Sequence, residues 1–122
     1  MKKLALGLFA AVALTGAALA AAPAADPMAS RYENTVTLTD AKGAVTKVHY
    51  NKDGTLTVIQ PDGAKVTGKW ALKDSKLCVT LDAGPAAGKE GCNPFADHKV
   101  GDTWDVTLAD GTKSKAALVA GR

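Results

Sequence analysis

Large and reactive side chains are scarce in this chain. Of its 122 residues only 5% are aromatic, with two each of Trp, Tyr, Phe, Cys and His. With only two histidines, any imidazole metal site must use both His49 and His98 or recruit carboxylates such as Asp53 or Asp97. Basic blocks interleaved with aromatics are also missing, which excludes the backbone-gripping surface of a nucleic-acid binder. Apolar runs are confined to one short stretch at the start, so the chain is no polytopic membrane protein. With 47% hydrophobic and 22% charged residues it is no disordered polymer either.

Residues 1–22 have the form of a secretory signal. Lys2 and Lys3 supply the positive start, Leu4 to Leu14 an apolar segment too short to span a bilayer, and Ala18-Leu19-Ala20 a small-x-small cleavage box. Leu14-Thr15-Gly16 is followed by Ala17 instead of the cysteine a lipid anchor needs. Cleavage after Ala20 would remove two of the 15 basic residues, leaving 13 against 12 acidic ones, so the net +3 belongs largely to the signal. The mature chain is expected to be periplasmic or secreted, without membrane insertion. Residues 23–31, rich in Ala and Pro, read as a flexible leader, and 32–122 as a single domain.

From Tyr32 onward the pattern is period-two alternation broken by turn residues. Strands are expected at Thr35 to Thr39, Val45 to Tyr50, Thr55 to Gln60, Ala64 to Leu72, Lys76 to Leu81, Thr103 to Ala109 and Lys113 to Val119. Lys42-Gly43, Asp53-Gly54, Asp62-Gly63, Asp74-Ser75 and Asp110-Gly111 separate consecutive strands and suit hairpins. Alternation places Val36, Leu38, Val48, Tyr50, Leu56, Val58, Val66, Trp70, Leu72, Leu77, Val79, Leu81, Trp104, Val106, Leu108, Ala116 and Leu118 inward, with Thr and Lys facing water. Lacking helices to cover a sheet, the dry faces must meet one another. The expected fold is all-β, an antiparallel up-and-down meander of about seven or eight short strands closing into a small barrel, with a β-sandwich as the alternative.

The stretch Asp82 to Asp102 departs from the short-turn rule, and connections of that length are usually functional or disordered. Cys78 and Cys92, the two cysteines of an exported chain, are expected to form one disulfide, worth about 3 kcal/mol by loop closure. Cys92 would then pin the long connection to the fifth strand. Its Lys89, Asn93, Phe95, Asp97 and His98 form the candidate contact loop. Tyr50, Trp70 and Trp104 form a candidate lining should the barrel interior be partly empty.

Catalytic constellations find little support. Ser30, Ser75 and Ser114 lie outside any nucleophile-elbow context. Asp97, Asp102 and Asp105 near Trp104 fit turn and surface roles better than sugar chemistry. Asn51-Lys52-Asp53-Gly54 lacks the further acids of a calcium loop.

Gly68-Lys69-Trp70-Ala71-Leu72, then Leu77-Cys78-Val79-Thr80-Leu81 and Gly91-Cys92, resembles the G-x-W-x-L, C-x-L-x-L and C pattern of small exported bacterial barrels. These include the inhibitors of secreted metalloproteases, and lipocalin-like domains share the style. In those inhibitors the G-x-W strand opens the barrel, whereas here at least three strands precede it. The resemblance implies a disulfide-pinned barrel. The functional expectation is a non-enzymatic binding protein without cofactor or metal, acting on a partner such as an exported protein through the pinned loop. The alternative is a carrier of a small apolar ligand inside the barrel.

Overall fold

The computed structural model describes residues 26–122, so the signal-like segment 1–22 lies outside the described residues. Among the described residues a helical turn, α1 (Ala29–Tyr32), precedes eight strands. These are β1 (Thr35–Thr39), β2 (Val45–Tyr50), β3 (Thr55–Ile59), β4 (Lys65–Lys73), β5 (Lys76–Leu81), β6 (Glu90–Pro94), β7 (Thr103–Thr107) and β8 (Lys113–Val119). All belong to one antiparallel sheet of order β6-β5-β4-β3-β2-β1-β8-β7. Every neighbour but one is consecutive in sequence, and β8 returns to pair with β1 through Val36↔Leu118 and Leu38↔Ala116. The result is a nearly closed, barrel-like up-and-down meander.

The turn chemistry follows from the sequence. In the β2–β3, β3–β4 and β7–β8 hairpins an aspartate side chain accepts the backbone N–H two residues on, as Asp53 Oδ1 does from Thr55 at 3.0 Å. The glycine after it takes φ near +90°, a region costly for a side chain with a Cβ. Strands alternate in direction, so these turns fall at two ends. The β1–β2, β3–β4, β5–β6 and β7–β8 connections crown one end. The β2–β3, β4–β5 and β6–β7 connections join the N-terminal segment and the C-terminus at the other.

The two sheet edges, β6 and β7, face each other across a seam. One side chain spans it. Asn93 Nδ2 donates to the Thr107 carbonyl at 2.9 Å, and Thr107 N–H donates to Asn93 Oδ1 at 2.8 Å, so the amide acts as one peptide group of a missing ladder. Towards the crowned end the strands approach more closely: a Cβ on Gly91 would lie 2.8 Å from the Ala109 nitrogen.

Three sequence expectations need correction. The long connection Asp82 to Asp102 contains β6, which pairs in register with β5, Cys78 directly opposite Cys92. The Cys78–Cys92 disulfide therefore rivets an edge strand to its neighbour rather than pinning a loop. The leader ends earlier than composition suggests, because Met28 (0% exposed) and Arg31 (3%) are buried among the barrel's residues by the turn of α1. Leu72, placed inward by alternation, is exposed at 40%, lying near the end of β4 beside the β4–β5 turn and opposite Leu77.

Asn93→Ala should remove both seam hydrogen bonds and leave the Thr107 N–H without its partner. The expected loss is about 1–3 kcal/mol of unfolding free energy in urea. The Thr107 amide should also lose protection in hydrogen exchange, while β2 and β3 amides should be affected only through global stability.

Candidate functional site: a cavity with a buried arginine

The barrel interior is incompletely filled. A cavity of about 510 Å³ runs through it, within the range of small-molecule sites. Its wall is built by the inward residues of nearly every strand, including Val36, Val48, Val58, Val79, Val106 and Ala116. At the crowned end it reaches Asp40, Gln60, Lys89 and Asp110. The opposite end is stoppered by the described aromatic residues, Tyr32, Tyr50, Trp70, Phe95 and Trp104. Trp70 packs edge-on against Tyr50 and tilted against Tyr32, at 6.4 and 6.2 Å between centroids, and its Nε1 donates to the Asn51 carbonyl at 2.8 Å.

At this stoppered end, Arg31 projects from α1 into the cavity lining. Its guanidinium carbon lies 5.0 Å from the Phe95 ring centre and 5.6 Å from that of Trp104. Nη2 donates to the Ala96 carbonyl at 3.3 Å, whereas Nη1 is buried with no hydrogen-bond partner among the described residues. Burial lowers the Arg31 pKa, opposed by Tyr50 and Asp97, yet a guanidinium keeps its charge in proteins. The two lysine–carboxylate ion pairs among the described residues, Lys73–Glu90 and Lys115–Asp105, and the 3.6 Å contact of His98 Nδ1 with Asp102 leave Arg31 out.

The surroundings hold Arg31 in place. Ser30 Oγ donates to the His98 carbonyl at 2.7 Å, latching α1 to the β6–β7 loop. His98 stacks on Trp104 at 3.5 Å between centroids. Its pKa is lowered by burial and by the positive charge of Arg31, against the pull of Asp102, so the imidazole is biased towards neutrality. Tyr50, on the cavity wall, has its hydroxyl pKa pushed up to about 12 by burial, with Arg31 acting in the other direction.

The expected site residues separate accordingly. Tyr50 and Trp104 line the cavity, but Trp70 is packed into the stopper beside it. The candidate contact loop is divided by β6: Lys89 lies at the crowned end, Asn93 closes the seam, and Phe95, Asp97 and His98 belong to the stoppered end. Asp97, Asp102 and Asp105 are exposed and outside the cavity lining; Asp102 accepts the Lys99 N–H and Asp105 pairs with Lys115 at 2.7 Å. His49, on β2, is influenced by Lys47, Lys65 and Arg122 instead of by carboxylates. Among the described residues the group closest to a metal-ligand set is Cys78, Glu90 and Cys92, and its two sulfurs are bonded to each other. Sequence reasoning missed Arg31. The available signal was the three-residue spacing from Met28, which puts both on one face of a helical turn.

No family model matches the chain, and no curated protein or solved structure shows significant similarity to it.

Two measurements probe the stopper. Arg31→Met replaces an unpartnered buried charge by an apolar chain of similar length, and should raise the unfolding free energy by about 1–2 kcal/mol. In alkali, Tyr50 remains protonated when folded but ionises near pH 10 when unfolded. Its stabilising contribution is therefore complete below pH 10 and disappears by pH 12, a fall of about 2–3 kcal/mol that Tyr50→Phe should remove.

Proposed function

We propose that this protein is an exported, non-enzymatic carrier that holds a small, mainly apolar molecule inside its barrel. The supporting observation is the cavity itself: about 510 Å³ of mainly apolar space, reaching the exposed Lys89 and Asp110 at the crowned end and stoppered by aromatic residues at the other. An eight-stranded barrel has room for one small ligand when its inward side chains are small. Export to the periplasm or medium is supported by the signal-like residues 1–22 and by the Cys78–Cys92 bond, since disulfides persist in oxidising compartments. Among the described residues no helix is long and apolar enough to cross a membrane.

Partner binding through the long connection has less support, because its candidate residues serve opposite ends of the barrel and two of them, Asn93 and Phe95, are spent on closing it. The carrier reading predicts a saturable site for the neutral apolar fluorophore N-phenylnaphthylamine. Val106→Trp, which fills the cavity from β7, should abolish that site while leaving the far-ultraviolet circular dichroism of the barrel intact. Absence of saturable binding to the unmodified protein would remove the reading, as would unchanged binding to folded Val106→Trp.

A further inference from the structure

We propose that the ligand enters the barrel carboxylate first and that Arg31 receives this group. The inference rests on the carrier reading and adds the chemistry of the ligand's buried end. Arg31 is 3% exposed, lines the cavity and has Nη1 buried without a partner among the described residues. Its other terminal nitrogen makes one hydrogen bond of 3.3 Å, long for an N–H donor. A fixed positive charge in a largely apolar enclosure calls for a counter-charge, and an isolated one is strongly unfavourable. Phe95 and Trp104 attract the guanidinium through their ring faces but supply no negative charge, and Asp97, whose field favours the charged form, is solvent-exposed and makes no ion pair with it among the described residues.

The number and kind of charges narrow the ligand further. Arg31 is the one cation at the stoppered end of the cavity lining, while Lys89 lies exposed at the crowned end. His98, stacked on Trp104 and outside the cavity lining, offers no second charge there. One guanidinium balances one negative charge, which favours a monocarboxylate over a phosphate monoester dianion. A carboxylate also has two oxygens to share between Nη1 and a second donor, and Tyr50, whose hydroxyl is kept protonated by burial, is among the residues lining the same space. Above this end the wall is apolar, so the rest of the molecule should be hydrocarbon-like.

Calorimetric titration at pH 7.5 of the protein expressed from the full chain, with its disulfide intact, tests the proposal. The probes are decanoate, decanol and decyl phosphate. Decanoate should bind about ten- to a hundredfold more tightly than decanol, as a charge-assisted hydrogen bond made in a buried site implies. Decyl phosphate should bind no better than decanoate. Arg31→Met should bring decanoate and decanol to equal affinity while still binding decanol. In the unmodified protein the side-chain N–H resonances of Arg31 should shift with decanoate and stay in place with decanol, a readout that needs no variant to fold. Equal affinity for decanoate and decanol, or an Arg31 resonance indifferent to decanoate, would overturn the carboxylate assignment and leave the carrier reading standing. Failure of every probe to enter the unmodified barrel would overturn both.

Discussion

An unclosed sheet has no interior, and closure here depends on a contact one amide wide. Asn93 on β6 reaches the backbone of Thr107 on β7 with both halves of its side chain, joining the two edges of an eight-stranded sheet. β6 could not hold that position alone. It is five residues long, contains Gly, Asn and Pro, and pairs by backbone only with β5. The disulfide to Cys78 fixes its register, so that Asn93 faces inward opposite Leu77 and Gly91 allows the close passage of Ala109. Covalent bond, edge strand and amide thus act in series. The disulfide positions the strand, and the strand positions the group that closes the cavity.

The shortage of large side chains explains why the nearly closed barrel retains space. Its described aromatic residues crowd one end, where Trp70, Tyr50 and Tyr32 pack together and Trp104 carries Arg31 near one face and His98 on its ring. Above them the inward positions are occupied by residues such as Val36, Val79, Val106 and Ala116, too short to meet across a barrel of this circumference. Stability and vacancy are thereby assigned to different ends of one fold. The stoppered end contains Met28, which is fully buried, while the described residues at the other end are strand connections.

Much of this architecture was legible in alternation and turn chemistry. Seven of the eight strands, the meandering order and the cysteine pair follow from inward aliphatics, Asp-Gly turns and the scarcity of thiols. β6 was obscure because Glu90-Gly91-Cys92-Asn93-Pro94 has the composition of a turn; its extended form comes from pairing with β5, a tertiary effect that overrides local preference. Arg31 was obscure for a different reason. It follows an Ala- and Pro-rich segment, and charged residues are rarely fully buried, so composition and burial statistics both pointed to solvent. Tyr50 and Trp104 were recognisable as lining, but the same alternation could not separate them from Trp70, whose distance from the cavity is set by depth along the barrel rather than by which face it occupies.

The identity of the buried cation matters to what the cavity can select. A lysine at this depth could lose its proton and become neutral, relieving the enclosure of charge and with it the demand for a counter-ion. The guanidinium of Arg31 has no comparable escape. Flanked by Phe95 and Trp104 and tied through Nη2 to the chain, it is held in one place while Nη1 stays free. Because it lies at the stoppered end, a ligand entering from the opening must bring its polar group past the apolar wall to reach it. A neutral molecule can fill the volume but leaves the charge unmatched. A molecule anionic at one end and apolar along the rest satisfies both demands at once, and in only one orientation.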